Sequence, residues 1–173
     1  MKAGISKRDV FVVYGRNDSI RKAVFDLLRA ADLNPMEFTQ IVYESGSAAP
    51  FVGDAIDLAL NRAAAIVVLF TGDDMAHLRE ELLNEGELPE APTPQPRPNV
   101  LFEAGLAFGK APTRTVLVQI GRVREISDLA GRHVVRLRDT PESRKDLLMR
   151  LAQAGCAVNL GGNDWMKAGT FPS

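Results

Sequence analysis

The sequence predicts an α/β fold in which five parallel strands form a doubly wound, flavodoxin-like sheet. Short apolar runs typical of strands buried on both faces, such as Val10–Val13 and Ala65–Phe70, alternate with segments whose apolar residues recur every three to four positions. Such alternation implies parallel strands joined by right-handed helical crossovers. With 173 residues, 46% of them hydrophobic, the chain is long and apolar enough for one core. We therefore expect a single domain over residues 1–173.

Periodicity and turn residues assign the elements in order. The first strand, Val10–Val13, is followed by a helix that Asp18 or Ser19 caps. Pro35 then leads to a second strand at Glu37–Tyr43. The later elements follow the same two periodicities: a helix carrying Val52, Ile56, Ala59 and Ala63, a strand at Ala65–Phe70, a helix over Asn99–Gly109, strands at Thr115–Ile120 and His133–Leu137, and a closing helix through Leu147, Leu148 and Leu151.

Charge and cysteine content exclude several functional classes. The chain has 21 Lys and Arg against 22 Asp and Glu, a net charge of −1, whereas nucleic-acid binders usually carry a strongly basic face. Cys156 is the only cysteine and only two histidines occur, so neither a disulfide framework nor a zinc site is expected. The longest apolar run, Ala63–Phe70, is far shorter than the ~20 residues that span a bilayer. We expect a soluble, cytoplasmic protein that binds no metal, nucleic acid or membrane.

The expected topology indicates where a ligand binds. Doubly wound sheets bind ligands beyond the carboxyl ends of their strands, at the point where the strand order reverses. In the flavodoxin-like order this point lies between the first and third strands, so the loops after Tyr14 and Phe70 should face one crevice. The third strand is followed by an acidic, Pro-rich insertion at 72–98, which holds seven acidic residues, two basic ones and five of the ten prolines. This composition is typical of a solvated surface loop.

One carboxylate interrupts an otherwise uncharged, mostly apolar segment. Glu103 stands within the helix expected over Asn99–Gly109. An exposed glutamate normally has polar neighbours on its helix face, so Glu103 should point into a crevice, where burial raises its pKa unless a cation such as Arg97 compensates. The alternative is a structural role at the helix N-terminus, although an Asn99 cap would make Phe102 the capping-box position. From the residues alone, both a catalytic and a structural role for Glu103 stay open.

Two loops at the expected crevice carry polar residues that suit a nucleotide. After the first strand, Tyr14-Gly15-Arg16-Asn17 combines a glycine turn and a guanidinium with a helix N-terminus, which suits a phosphate or ribose. An ordinary strand-to-helix turn has the same pattern. After the third strand, Thr71-Gly72-Asp73-Asp74 offers two aspartates that could accept ribose hydroxyls, hold a divalent ion or begin a loop.

Three blocks of sequence carry a resemblance to a known family: Val10-Phe-Val-Val-Tyr-Gly-Arg, Ala65-Ile-Val-Val-Leu-Phe-Thr-Gly-Asp-Asp, and Arg97-Pro-Asn-Val-Leu-Phe-Glu-Ala-Gly. From about Asp9 to Asn159 the chain resembles the bacterial TIR-like domains described as predicted nucleotide-binding proteins. These domains are found fused to STING-type or cyclic-pyrimidine-sensing modules in anti-phage defence. The chain departs from the family at Gly72, where proline is usual, at Pro98, and over 45–54, which lacks the usual glycine-threonine and glutamate pattern.

The resemblance implies a TIR fold and cleavage of the nicotinamide–ribose bond of NAD⁺, the substrate, without a cofactor. Glu103 occupies the position of the family's catalytic glutamate. The resemblance also implies homotypic TIR–TIR assembly, a separate sensor or cyclic-nucleotide-responsive module, and an anti-phage effector that depletes NAD⁺ or makes an ADP-ribose signal. The expected substrate-binding residues are Arg97 and Asn99 beside the glutamate, Gly15, Arg16 and Asp73 in the nucleotide cleft, and, from the two loops themselves, Tyr14, Thr71 and Asp74.

Two other functions stay open. A nucleoside deoxyribosyltransferase-like N-glycosidase shares the fold and has a glutamate on a comparable helix, and a non-catalytic TIR scaffold would act by homotypic association alone. The near-zero net charge is a cancellation, since residues 72–98 carry a balance of −5 and residues 110–150 a balance of +5. Opposite charges on two copies could pair, so a head-to-tail assembly that salt weakens is a further expectation.

Overall fold

Five parallel strands form the central sheet of the computed structural model, which describes residues 5–46, 51–129 and 131–173. The strands lie in the order β2-β1-β3-β6-β7, and every neighbouring pair is parallel. The flavodoxin-like, doubly wound fold is therefore confirmed. The elements are β1 (Ser6–Val13), α1 (Asp18–Ala30), β2 (Asn34–Met36), α2 (Phe38–Ser45), α3 (Val52–Arg62), β3 (Ala63–Thr71), β4 (Asp74–Ala76), β5 (Thr93–Gln95), α4 (Pro98–Lys110), β6 (Thr115–Ile120), β7 (Val134–Leu137) and α5 (Pro141–Gln153).

Helices cover both faces of this sheet because its central strand is apolar on both sides. All of β3 is buried. One face packs on α1 and α5 through residues such as Leu27 and Leu148, and the other packs on α3 and α4 through residues such as Ile56 and Ala107. Burial of this apolar surface, at about 25 cal/mol per Å², is the main contribution to stability. Among the described residues, no helix has the length and apolar character that crossing a membrane requires.

The prediction of a second strand at Glu37–Tyr43 is wrong. The strand is β2, only Asn34–Met36, and the following segment is the helix α2, Phe38–Ser45. Ile41 is fully buried while Tyr43 is 88% exposed. A strand would put these two residues on the same face, whereas a helix separates them. The β-branched residues of this segment favour a strand by local propensity, but the packing of one helical face on the sheet overrides that preference. Residues 47–50, within the sequence departure at 45–54, lie outside the described residues.

The residue that caps the first helix lies one or two positions earlier than expected. Asn17, rather than Asp18 or Ser19, caps α1, because the Asn17 side-chain oxygen accepts a hydrogen bond from the backbone N–H of Ile20 at 3.2 Å. At the end of α3 the boundary also moves, since Ala63, expected on the helix face, is the first residue of β3.

The alternation of strands and helices is incomplete in two places. The β6–β7 connection contains, in its described residues, a 3₁₀ turn at Ser127–Leu129 instead of an α-helix. The acidic insertion is not one open loop, because β4 and β5 pair as an antiparallel ribbon. A 3₁₀ turn at Glu80–Leu82 lies between them. The ribbon holds the two ends of the insertion side by side, next to the end of β3 and the start of α4.

The segment after α5 completes one face of the core, which the sequence did not lead us to expect. Trp165 and Phe171 are 5% and 4% exposed and pack with α1 and α5. Arg144 of α5, also buried, pairs with Asp139 and donates a hydrogen bond to the carbonyl of Gly169 at 2.7 Å. The charge of this buried guanidinium is therefore compensated, and the chain end is tied to the domain.

Candidate functional site

The loops after β1 and β3 meet at the carboxyl edge of the sheet. β1 and β3 are neighbours, so their ends lie side by side. The Asp73 carboxylate accepts a hydrogen bond from the backbone N–H of Arg16, with 2.6 Å between N and Oδ2. A Cβ on Gly15 would overlap this carboxylate, so the absence of a side chain there lets the two loops close. These residues of the expected crevice are therefore brought together.

Arg97 joins the same cluster from the start of α4. Its Nε lies 3.9 Å from Oδ1 of Asp74, the first residue of β4. Its Cγ lies 3.7 Å from the point where a Gly15 side chain would begin. Thr71, buried at the end of β3, holds the intervening turn, since its carbonyl accepts the N–H of Asp73 at 2.9 Å. The Asp74–Arg97 pair is long and partly exposed, so it is weak and a ligand can replace either partner.

Glu103 lies on α4 beyond the positions that cap a helix. Arg97 is the cap residue and Pro98 the first residue of the helix, so Asn99 is not the cap. Proline suits the first position because its missing N–H would have no partner there anyway. The capping-box position is then Val100, and Glu103 lies a further turn along the helix. The explanation of Glu103 as a helix-terminal residue therefore fails.

The Glu103 carboxylate is partly buried and has no compensating cation among the residues that the structure describes. Burial raises the pKa of this carboxyl from its ordinary 4.5 to about 6. No hydrogen bond or ion pair joins it to any residue in the described part of the chain. Arg97, the cation nearest in sequence that could have compensated it, pairs with Asp74 instead. A carboxylate that is desolvated without a partner is typical of a functional site.

Helical periodicity shows which neighbour Glu103 faces. Lys110 lies seven residues, nearly two whole turns, further along α4 and therefore on the same face. The Lys110 ammonium pairs with both carboxylate oxygens of Asp57 on α3, at 2.8 and 2.7 Å. Glu103 thus lies on the flank of α4 that faces α3. Phe108, whose ring is contacted by the Arg132 guanidinium, lies on the other flank.

Tyr14 is not part of this cluster. Its ring packs edge-on against Phe25, with 6.3 Å between centroids, and its hydroxyl donates to Glu37 at 3.3 Å, on the face covered by α1. Burial and the neighbouring Glu37 carboxylate raise the pKa of Tyr14. Asn99 is exposed at the second position of α4. The Arg16 side chain is exposed too, and its guanidinium has no partner among the described residues.

Two contributors to the site were not anticipated. A Cβ on Gly72 would lie 2.5 Å from the Cβ of Pro94 in β5 and 2.9 Å from the carbonyl oxygen of Arg122. The space that a side chain at position 72 needs is therefore occupied, which explains why glycine replaces the family's proline. Asp57 is the second contributor, because it anchors Lys110 and so fixes α4 against α3. No local pattern marks Asp57, and the only signal for β5 is its run of alternating prolines.

Other side chains with chemical potential lie apart from the cluster. Within residues 5–46, 51–129 and 131–173, no three His, Cys, Asp or Glu side chains converge as ligands for a metal ion. Burial raises the pKa of the Cys156 thiol to about 11, which keeps it protonated and unreactive near neutral pH. On the surface, Nε2 of His133 lies 3.4 Å from Oδ2 of Asp146.

A family model describes most of the chain. The model for the CAP12/Pycsar effector protein, TIR domain, matches residues 9–139. The chain belongs to this TIR family. The matched residues of the TIR domain run from β1 to just beyond β7 and include the Asp73–Asp74–Arg97 cluster and Glu103. A search of curated proteins finds no match to this TIR domain. Family membership makes the chain a TIR-type anti-phage effector domain.

Proposed function

We propose that this TIR domain is an NAD⁺ glycohydrolase, an NAD⁺ nucleosidase that depletes NAD⁺ or makes an ADP-ribose signal. The observation that carries the proposal is Glu103, a partly buried carboxylate without a counter-ion in the described part of the chain, on the helix whose start borders the β1–β3 crevice. Its pKa of about 6 leaves it mostly ionised at neutral pH, which is the form that the reaction requires. The resemblance of its sequence block to the one that carries the catalytic glutamate of TIR domains supports the same reaction.

The reaction suits a site with a single carboxylate. When the bond between ribose C1′ and the nicotinamide nitrogen breaks, the electron pair leaves with the nitrogen, so nicotinamide departs neutral and needs no general acid. Positive charge develops at C1′, and an ionised carboxylate stabilises this oxocarbenium-like centre, as in glycosidases. Water then adds to C1′ and releases a proton, which gives ADP-ribose. Glu103 also suits the covalent variant, in which its oxygen attacks C1′ before water does.

The cluster at the carboxyl edge supplies groups that bind the rest of the substrate. Arg16 and Asn99, both exposed at helix starts, bind the pyrophosphate in this proposal. Asp73 and Asp74 accept hydrogen bonds from ribose hydroxyls. Arg97 exchanges its long ion pair with Asp74 for a phosphate oxygen, which orients the nicotinamide ribose towards Glu103.

Nicotinamide release from NAD⁺ is the direct test. Glu103→Gln keeps the shape of the side chain and removes its charge, so we expect turnover to fall by about a hundredfold or more while the fold is kept. The matched control is Glu142→Gln, an exposed glutamate at the start of α5, which should retain full activity. Unchanged turnover in Glu103→Gln would reject the assignment. Turnover of deoxynucleosides without nicotinamide release would favour the N-glycosidase alternative.

We further propose that the domain acts as an assembly of TIR copies, under the control of a separate sensor. Tyr43 and Phe51 are 88% and 82% exposed, at the end of α2 and just before α3. Large aromatic side chains so exposed are typical of interaction surfaces. The same nicotinamide assay over a range of protein concentrations tests this, because activation by assembly gives a dependence steeper than linear. A scaffold function would be favoured if Glu103→Gln kept biological activity and Tyr43→Ser lost it.

A further inference from the structure

The β6–β7 connection leaves one corner of the sheet without a helix. Parallel strands are usually joined by a helix that covers the sheet face, but the described part of this connection holds only a 3₁₀ turn. Gln119 of β6 and Arg136 of β7 are paired in register at the carboxyl edge. Their neighbours Val118 and Leu137 pack on the face covered by α1 and α5, so Gln119 and Arg136 point to the opposite, uncovered face.

A cavity of about 320 Å³ opens at this corner. Three arginines, Arg122, Arg136 and Arg138, line it together with Gln119. None of the three guanidinium groups forms a hydrogen bond or ion pair with a residue in the described part of the chain. An adjoining cavity of about 380 Å³ shares Gln119 and Arg136 as part of its wall.

The three guanidinium groups at this corner lack a carboxylate partner, whereas most of the other arginines in the described residues have one. Like charges held together on a concave surface raise the free energy of the protein unless an anion neutralises them. Among the described residues most other arginines have a carboxylate or carbonyl partner, whereas these three, like Arg16 at the crevice, have none. Arginines with a carboxylate partner include Arg8 with Asp32, Arg21 with Glu37, Arg124 with Glu90 and Arg144 with Asp139.

We propose that this corner binds a small phosphorylated molecule, whose phosphate oxygens are held by Arg122, Arg136 and Arg138. The planar guanidinium fork matches the geometry of phosphate oxygens and can bind two of them at once. The cavity volume lies at the lower end of the range for small-ligand sites, roughly 300–1,000 Å³. A narrow concave site fits a pyrophosphate or a nucleotide diphosphate better than a nucleic-acid duplex, which needs a broad basic face.

This site is separate from the Glu103 crevice. Arg132, in the β6–β7 connection, has its guanidinium carbon 4.6 Å from the centroid of the Phe108 ring. Phe108 and Glu103 are five positions apart on α4, which places them on different flanks of the helix. A ligand at the arginine corner therefore approaches α4 from the β6–β7 side, whereas the Glu103 site lies on the α3 side.

Titration with inorganic pyrophosphate tests the proposal, with calorimetry for affinity and amide NMR for location. We expect resonance shifts at Gln119 and Gly121 that Arg136→Gln abolishes, whereas any shift at Gly15, beside the groups proposed to bind the pyrophosphate of NAD⁺, should be unchanged by that substitution. Arg136→Gln should weaken binding by about tenfold or more, since it removes charge-assisted hydrogen bonds. The control is Arg8→Gln, an exposed arginine at the amino edge of the sheet, which should leave the affinity unchanged.

Several results would overturn the proposal. Equal affinity for sulfate and for pyrophosphate would show a general anion effect and not a phosphate site. Binding that survives both Arg122→Gln and Arg136→Gln, or no binding at millimolar pyrophosphate, would also refute it. A single-stranded oligonucleotide that binds through these arginines while pyrophosphate does not would assign the corner to nucleic acid. Because the readout is binding, a failure of the proposed NAD⁺ hydrolysis would leave the result intact.

Discussion

Glu103 destabilises the folded chain because its carboxylate loses water without gaining a partner among the described residues. The pKa of this carboxyl is about 6 in the folded state against an ordinary 4.5, so the folded state keeps its proton to a higher pH than the unfolded state does. The stability linked to this proton is fully present below pH 4.5 and is lost as the pH rises through 6. Active sites commonly carry such a penalty, because the environment that suits the chemistry disfavours the charge.

Glu103→Gln should therefore stabilise the domain at about pH 8 and have little effect at about pH 4. The gain in the free energy of unfolding is at most about 1 kcal/mol, because solvent screens the exposed part of the side chain. Urea unfolding followed by the fluorescence of Trp165, the only tryptophan, measures it at both pH values. An equal effect at the two pH values would contradict a desolvated carboxylate.

Gly15 and Asp73 are coupled because a side chain at Gly15 would overlap the Asp73 carboxylate. Gly15→Ala should push this carboxylate away from the Arg16 N–H and lower the free energy of unfolding by about 1–2 kcal/mol. In an Asp73→Ala background the same change should have little effect, since the overlap is gone. A double-mutant cycle from urea unfolding gives the coupling energy, and purely additive effects would show that the overlap has no consequence.

The helix α4 carries a glycine where the fold does not require one. Gly105 is exposed in the interior of the helix, and an added Cβ would meet nothing within 4 Å. Gly105→Ala should therefore raise the free energy of unfolding by up to about 1 kcal/mol, through the higher helix propensity of alanine. Thermal unfolding at low protein concentration measures the change. A decrease in stability would mean that Gly105 packs closely against something that the single chain does not contain.

Elements with a long and regular apolar pattern could be predicted from the sequence. The bounds of β6, Thr115–Ile120, agree with the expectation, and β3 and the helices α1, α3, α4 and α5 follow closely, whereas β1 begins at Ser6, four residues before the expected Val10. Prediction fails where the pattern is short or conflicts with propensity. The strand β2 has only three residues, and the β-branched residues of α2 resemble a strand until the packing of Ile41 is known.

The candidate site was predictable where topology alone decides it. Neighbouring parallel strands must end together, so the meeting of the Gly15 and Asp73 loops follows from the strand order. The anomaly of Glu103 is visible as one charge in an apolar helix. The Arg97–Asp74 pair could not be foreseen, because it depends on the β4–β5 ribbon. Tyr14 lies on the other face because side chains alternate along β1, which places it on the opposite side from Val13.

The whole domain depends on its last residues as well as on the matched family region. Phe171 is 4% exposed and closes the core beside α1 and α5. Phe171→Ala should lower the free energy of unfolding by about 3 kcal/mol, because it leaves a cavity in the core. Phe51→Ala, at an exposed phenylalanine, should change it by less than about 0.5 kcal/mol. Equal effects in urea unfolding would show that the tail does not contribute to the stable fold.

The opposite charges of residues 72–98 and 110–150 are partly paired within one chain. Arg124, in the basic region, forms an ion pair with Glu90 of the insertion at 2.9 Å, and its backbone N–H donates to the Pro94 carbonyl at 2.7 Å. These contacts fasten the ribbon to the β6–β7 connection. Any electrostatic attraction between copies therefore depends on the charges that remain, such as Glu80 and Glu85.

The two outer strands of the sheet also limit how copies of the domain can join. β2 has three residues, and Pro35 at its centre has no N–H to offer a further strand. β7 has four residues and presents an exposed arginine, Arg136. Short, proline-bearing or charged edges resist extension by another backbone. In the proposed assembly, copies should therefore associate through side-chain surfaces that separate again on dilution, and an assembly built this way can be switched off without a β-aggregate to dissolve.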